Sequence, residues 1–558
     1  MAEDTQYVQV PYAPYEHPLQ HEVHDMLCDL PDDILNPLIL FSYFWDDGLL
    51  ASICFATNQY AIQYYNANPN ILPNARIWSP ITSAELQVYF GTLIYIGTLK
   101  VPRLQDFWNT KLYNETSQHM SLVRFEQIRR FFHISDPRFP ISTEHWWKKL
   151  EPAHSHIQQI SQELYRPATQ VSIDEMMVRF HGHSQHTLKM PNKPIKHGYK
   201  ILALCDHGYT YNWMYTSRTQ GFANIDRVPN LTPTSSAVIQ LCRPLPSMQY
   251  QFHLYMDNYF TNIPLFHHLY SSLHIAACGT LRINYIPTSL KQHFDESQTR
   301  HLPWNHLAVI TTSDPHIQIL RWKDNNMVKL LTSVHTGDST IERMRRKPRN
   351  SSAYTNSART AFTAVHPTAH RLPFQIPTAI DDYNHYMGGV DIADQYRSYY
   401  NTQRRETRNW IPLFNWLLDI SIINSFLLYK LASDPETGYE LTWKLPDITH
   451  SPQLAFRREL ATMLLQQNPM RPKLKKIPSY FTLATEMPPP ARGPMKHSPM
   501  RAANRRQCLY CRFHPTDPPM TIPRTYWACS ACLVHLCLTC FGYYHLTAIH
   551  KQPGHASI

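Results

Sequence analysis

The sequence predicts an α/β protein with a second, cysteine-rich module at its C-terminal end. Three observations predict it. Hydrophobic residues make up 43% of 558 positions and charged residues only 17%, which supports a sizeable core and argues against a largely disordered chain. Between residues 166 and 285 the apolar pattern alternates between strand and helix periods. The order is strand, strand, strand, helix, strand, helix, strand, which is a mixed sheet with crossover helices. Six of the 11 cysteines fall between Cys508 and Cys540.

Taken in order, residues 1–38 are polar and punctuated by proline, and a disordered segment is expected there. Residues 39–165 carry a helical pattern. In "ITSAELQVYFGTLIYIG" Thr82 and Glu85 have capping-box spacing before an apolar run. In "SLVRFEQIRRFFHI" Leu122, Phe125, Ile128 and Phe132 share helical spacing, with Arg129 and Arg130 on the solvated side. The core pattern begins at 166. "QVSIDEMMVRF" alternates in part, and "GYKILALCDHGYTYNWMYTSR" reads as two strands around Asp206-His207-Gly208. "SSAVIQLCRPL" and "IPLFHHLYSSL" read as helices, "YQFHLYMDNYF" and "IAACGTLR" as strands.

Residues 286–375 break the pattern with three short strands, "HLAVITT", "IQILRWKD" and "MVKLLTSVH", then the basic run "RMRRKPR" at 343–349. An inserted β-rich module with a basic loop is expected. Helix resumes at Ala379, so residues 376–400 return to the core and 401–466 form a helical region. Within it "RNWIPLFNWLLDISIINSFLLYKL" is apolar nearly all round and should lie buried between other helices. Residues 467–507, rich in Pro, Lys and Arg, read as a basic linker, and 508–558 as the cysteine-rich module.

A net charge of +10 favours an anionic partner such as nucleic acid. The N-terminus has neither a basic n-region nor an apolar h-region, and Val88–Leu99 falls short of the roughly 20 apolar residues that span a bilayer. An intracellular protein without a membrane partner is expected, its cysteines thiols or metal ligands rather than disulfides. Cys28, Cys54, Cys205, Cys242 and Cys278 are scattered, as small core residues are.

Four acids stand out. Asp257 ends the apolar run "FHLYMD", where an unpaired carboxylate would be costly, and Asp174 lies mid-strand in "VSIDEMMV". Asp391 and Asp394 share a helix face, after a Gly388-Gly389 pair that allows close backbone approach. Clustered carboxylates suit Mg²⁺ or Mn²⁺, and two such ions roughly 3.5–4 Å apart can clamp the oxygens of a phosphoryl transfer. Asp391 and Asp394 also have a plainer reading as helix caps, and Asp174 as an exposed edge position, whereas Asp257 has no such plain account.

The C-terminal spacing C-x2-C-x17-C-x2-C-x4-C-x2-C-x4-H-x4-H places thiolates in pairs suited to tetrahedral Zn²⁺. A cross-brace would put Cys508, Cys511, Cys537 and Cys540 on one ion. Cys529, Cys532, His545 and a further histidine such as His550 would take the other. A single-ion ribbon on the first four cysteines is the alternative.

The blocks "VSIDEMMVRFHG", "KMPNKPIKHGYKI", "YMDNYFTN", "MGGVDIADQY" and "TRNWIPLFNWLLDISIINSF", in that order, resemble the piggyBac transposase family from about Leu38 to the C-terminus. The resemblance implies a ribonuclease H-like catalytic core in which Asp174, Asp257 and Asp391 are the catalytic, metal-binding aspartates and Asp394 an additional acid. It implies Mg²⁺-dependent nicking, strand transfer and excision through hairpin ends at TTAA sites. Lys189, Lys193, Lys196 and Lys200 match a family block suited to DNA backbone contact. The flanking helical regions would serve dimerisation and DNA binding, and the cysteine-rich end would recognise repeats in transposon ends. Double-stranded DNA, a homodimer and the nucleus follow as expected partner, assembly and location. The x17 loop departs from the family's cysteine pattern. An active cut-and-paste transposase, a domesticated DNA-binding relative, and a zinc-module adaptor or ubiquitin ligase are the functions these features allow.

Overall fold

A sheet of nine strands, the shortest being the two-residue strand Leu188–Lys189 at one edge, runs through the middle of the molecule. The structure, a computed structural model, describes residues 11–17, 26–68, 78–109, 115–138, 145–222, 225–291, 294, 302–349, 355–446, 451–467, 497–513, 524–530, 532 and 534–546. Its principal helices before the sheet are α1 (Pro37–Phe44), α2 (Asp47–Ala67), α3 (Ser83–Gly97), α4 (Leu122–Phe131) and α5 (Ala153–Glu163). The sheet begins with β1 (Gln170–Arg179), β2 (His197–Asp206) and β3 (Tyr209–Thr216), each antiparallel to the last. His207 and Gly208 close the β2–β3 hairpin at φ 43° and 99°, the left-handed geometry that matches strand twist.

Two right-sized crossovers then reverse the sheet's growth. α6 (Pro233–Cys242) leads to β4 (Phe252–Met256), which pairs parallel to β1. α7 (Ile263–Leu273) leads to β5 (Ile275–Thr280), parallel to β4. Both helices start as their sequences dictate: Thr232 and Asn262 accept from the backbone N–H groups of Ser235 and Leu265, and each helix has a proline in its first turn.

The predicted separate module at 286–375 is in fact two things. β6 (Leu307–Thr311), β7 (Gln318–Lys323) and β8 (Met327–Thr332) extend the core sheet, with Leu330 of β8 opposite Thr280 of β5. The reason is that β5 is buried along nearly its whole length, and an apolar edge strand needs a partner for its backbone groups. β9 (Thr340–Arg346) and β10 (Arg371–Pro377) instead form an isolated antiparallel ribbon, backed by α8 (Asn356–Val365) through Trp304, Phe362 and Phe374. The basic run is thus largely strand rather than loop.

The chain continues through α9 (Thr378–Tyr386), α10 (Gly389–Tyr399), α11 (Ile411–Ala432) and α12 (Pro452–Gln466). Among the described residues α11 is the single helix long and apolar enough by itself to cross a membrane, and 94% of its most apolar window is buried inside the protein. One continuous core joins it to α1, α3, α12 and the sheet. Thr82 caps α3 as predicted, but Glu85 does not reach back to complete the box. Its carboxylate takes two bonds from Arg124 of α4, at 2.7 and 2.6 Å. α3 and α12 touch at Gly91, where a Cβ would lie 2.9 Å from Leu464 Cβ.

Between α11 and α12 sits a buried ion pair, Asp419 Oδ1 to Arg457 Nη1 at 3.4 Å, with side chains 1% and 0% exposed. Asp419 also accepts from Thr402 N–H, and Arg457 Nη1 donates to Tyr400 O at 2.7 Å. Removing one partner strands the other charge. Asp419→Ala is expected to cost about 3–5 kcal/mol, read as a lowered thermal midpoint.

Two boundary expectations are corrected. Residues 1–38 are not a disordered segment throughout: Ala13 N–H donates to Pro315 O, Tyr15 N–H to Ser333 O, and His17 lies buried against Ser247 O at 2.7 Å. Tyr15 packs on Tyr270, so its aromatic burial helps offset the entropy of ordering this strap. The basic linker does not reach 507. Strand β11 (Pro499–Gln507) pairs with β12 (Arg524–Cys529), placing residues 499–507 inside the cysteine-rich module, which has its own small core of Cys508, Cys529, Leu536 and Tyr544.

Candidate active site and metal centre

Register brings the first two acids together. β1 and β4 run parallel with Ile173 opposite Met256, so Asp174 and Asp257 are the next residues along on neighbouring strands. Such strands lie about 4.8 Å apart. Asp174 is 5% exposed and accepts from Glu175 N–H at 2.7 Å. Burial pushes its carboxyl up to about 7, opposed by the Glu175 N–H bond and by Lys193, while the charges of Glu175 and Asp257 add to the rise. Burial raises Asp257 as well, against the Tyr259 N–H that donates to its Oδ1 at 2.8 Å.

Helix α10 lies across the same face of β1. Ser172 and Asp174, two apart on a strand, point the same way. A Cβ on Gly389 would lie 2.6 Å from Ser172 Oγ and 3.1 Å from Cys205 O, so only glycine lets the helix sit this close. Eight residues on, Arg397 donates from Nη2 to Met177 O at 2.8 Å. Between these two anchors are Asp391 and Asp394. Asp391 is exposed in the helix's first turn. Asp394 is already engaged: its Oδ1 accepts from Arg397 Nη2 at 2.7 Å and Nε at 3.0 Å. The same arginine is the one that joins α10 to Met177 O of β1.

The four lysines separate into three environments. Lys189 and Lys196 are exposed on the hairpin that opens β2. Lys193 turns inward, with Nζ 3.5 Å from Glu175 Oε1. Burial alone would lower its pKa, but Asp174, Glu175 and Asp391 outweigh that and raise it. Lys200 cannot be a backbone contact for DNA. It is 6% exposed, its Nζ is 3.7 Å from Glu175 Oε2, and it lies 4.2 Å from the centre of the Tyr259 ring. Strand pairing explains this: Glu175 is opposite Leu202, so Lys200 is its diagonal neighbour on one face.

Two neighbours of the acids were not singled out in the sequence. Glu175 is the counter-charge of both inward lysines, and its adjacency to Asp174 was the available signal. Burial raises the pKa of Tyr383 of α9, with the charges of Asp257 and Asp174 adding to it, and its hydroxyl lies 3.4 Å from Thr280 Oγ1. Nothing in its local sequence marks it. As a donor set, Asp174, Asp257 and Asp391 are hard carboxylate oxygens, which fit a divalent cation such as Mg²⁺ or Mn²⁺. Their oxygens are not gathered within 4.8 Å of one another, whereas two cysteine–histidine sets are, among the described residues.

Those sets are Cys508, Cys511, Cys537 and Cys540, and His497, Cys529, Cys532 and His545. The first is the predicted group. The second takes His497 where His550 was suggested, and His550 lies outside the described residues. His497 comes into place because β11 pairs with β12, setting Nδ1 3.4 Å from Cys529 Sγ and 3.2 Å from Cys532 Sγ. His545 Nδ1 binds Phe541 O at 2.6 Å, which orients Nε2 toward Cys532 Sγ at 3.6 Å. Cys511 Sγ is 3.3 and 3.9 Å from Cys540 and Cys537 Sγ. A tetrahedral ion with bonds near 2.3 Å needs ligand separations of about 3.8 Å, so both sets fit Zn²⁺. The sets interleave along the chain, as a cross-brace requires.

A profile of the Transposase IS4 family matches residues 36–426. PiggyBac transposable element-derived protein 2 of Homo sapiens is 25% identical over 449 residues, covering 79% of this chain and 67% of that protein. PiggyBac transposable element-derived protein 3 of Homo sapiens is 23% identical over 526 residues, covering 91% and 76%. The fold is similar to a cryo-EM structure of a piggyBac transposase synaptic complex with hairpin DNA, at a TM-score of 0.61 and 22% identity, over 79% of this chain and 83% of that one.

Proposed function

The chain belongs to the piggyBac transposase family, and from that premise we propose that it is a metal-dependent DNA transposase of the cut-and-paste type. The observation that carries this reading is the strand register that sets Asp174 beside Asp257 beneath a helix bearing Asp391. The strand order β3-β2-β1-β4-β5, three antiparallel strands followed by two parallel ones reached through helices, supports a ribonuclease H-like core.

Asp174, Asp257 and Asp391 are the residues that would hold Mg²⁺ or Mn²⁺. Bound there, the ions supply Lewis-acid stabilisation of charge at the scissile phosphate. The chain's own groups set the stage. Asp394 and Arg397 clamp α10 to β1, fixing where Asp391 stands. Glu175 holds Lys193 and Lys200 inward, so their charge balances the acids. Lys189 and Lys196, exposed on the hairpin that opens β2, neutralise phosphates of the approaching duplex. The cysteine–histidine module binds two Zn²⁺ and reads transposon ends. TTAA targets, a homodimer and nuclear location complete the reading.

A nicking assay tests it. Purified chain with Mg²⁺ is expected to cut duplex DNA carrying its own element's ends, and EDTA to stop it. The second reading, a domesticated DNA-binding protein without mobility, draws on the names of its relatives, which are transposable element-derived. Binding to duplex ends without any cleavage would favour it.

The helix contact gives a finer test. Gly389→Ala forces α10 off the sheet by a few tenths of an ångström. Nicking is expected to fall by up to about a hundredfold, with little change in thermal midpoint. Ser172→Ala in the same chain removes the Oγ nearest the new methyl and should restore part of the rate.

A further inference from the structure

The β9–β10 ribbon carries a charge arrangement that the catalytic reading does not use. Its two faces are chemically different. On the inner face Arg343 binds Asp381 through Nε and Nη2 at 2.6–2.9 Å. Arg345 pairs with Asp324 at 2.8 Å and lies over Trp322. Those cations are neutralised. On the outer face Arg346 stands directly opposite Arg371, both exposed, and among the described residues neither has an ion-pair or hydrogen-bond partner for its side chain. Next to them are Met344, 62% exposed, and Pro373, also directly opposite each other.

Like charges directly opposite on one sheet face are destabilising, with side chains about 5 Å apart. An anion shared between the two guanidiniums reverses the sign of that interaction, and arginine forks suit phosphate oxygens. The ribbon is also held ready. Arg359 of α8 donates to the carbonyls of Pro348 and Arg349, and Lys347 Nζ to Thr363 Oγ1, fixing the turn that follows β9. Trp304, Phe362 and Phe374 stiffen the ribbon from behind.

We propose that the outer face of this ribbon is a second DNA contact, in which Arg346 and Arg371 grip one backbone stretch of duplex DNA while Met344 and Pro373 rest on the adjoining sugars. A two-stranded ribbon has the dimensions to lie along a duplex groove. The contact is sequence-independent, because it engages phosphate and sugar. It rests on the reading of the chain as DNA-binding.

The test is the salt dependence of binding by the full chain to a fluorescent random-sequence duplex. For the parent and for Arg346→Gln with Arg371→Gln, anisotropy titrations give the slope of log K against log salt concentration. Each neutralised phosphate contributes about 0.9 to that slope, so losing the pair that shares one phosphate is expected to lower it by about 0.9. The Lys pair, R346K with R371K, should keep most of it. A parent that binds with the Gln pair unchanged in slope and affinity overturns the ribbon contact and leaves the transposase reading standing. A parent that binds no duplex at all overturns both. Both arginines are exposed, so the substitutions leave the core untouched.

Discussion

Asp257→Ala is expected to fold like the parent, to bind duplex ends as tightly, and to make no detectable metal-dependent nick. The argument starts from position. Asp257 follows the last residue of β4, and its side chain takes one local bond, from Tyr259 N–H. Losing that bond costs about 1 kcal/mol or less. The catalytic loss is larger. A ligand to an ion that stabilises transition-state charge is worth several kcal/mol, and about 4 kcal/mol is a thousandfold in rate. A gel assay on nicked duplex, with circular dichroism and anisotropy on the same preparation, separates the two effects. Asp174→Asn should lose as much rate. Asp394→Asn acts differently: it loosens Arg397, so a partial loss is expected rather than abolition.

The second large effect concerns the cysteine–histidine module. The parent is expected to carry two zinc ions per chain by elemental analysis. Cys508→Ser removes a ligand from one set, and His497→Ala from the other, so each should lower zinc content toward one. His550→Ala should leave two. Structural zinc supplies about 10–16 kcal/mol of binding free energy that is also folding free energy, and the small module core cannot replace it. Chelation should therefore unfold the module and abolish recognition of transposon ends. The core, with its own continuous hydrophobic interior, should keep its thermal transition.

How much of this was legible in the sequence depends on the range of the interaction. Asp257 could be found because its chemistry clashes with its neighbours: a carboxylate ending an apolar strand demands a reason. The elements themselves were legible, since α6, α7 and the β2–β3 hairpin carry their own caps, prolines and turn residues. The family blocks already joined Asp174 to Asp257, but their register was not legible, because parallel strands some eighty residues apart leave no local trace of it. Lys200 was misread for the same kind of reason. Its spacing from Lys196 resembles a basic run, but strand pairing turns it inward toward Glu175. His497 lay hidden because Pro, Lys and Arg around it read as linker, and only β11 pairing with β12 brings it to the cysteines. The cysteine spacing, by contrast, offered the interleaved cross-brace beside a single-ion ribbon, and the two gathered sets match the cross-brace.

The most direct measurement is manganese binding by electron paramagnetic resonance, on zinc-loaded full-length chain with duplex DNA present. Free Mn²⁺ gives a sharp six-line signal that is lost on binding. Measured against a control of the same DNA without protein, the parent should bind one or two ions per chain, and the triple variant Asp174→Asn, Asp257→Asn, Asp391→Asn should leave that signal at the height of the control. Equal binding by both proteins, or none by the parent, would contradict a cation site built from these three acids.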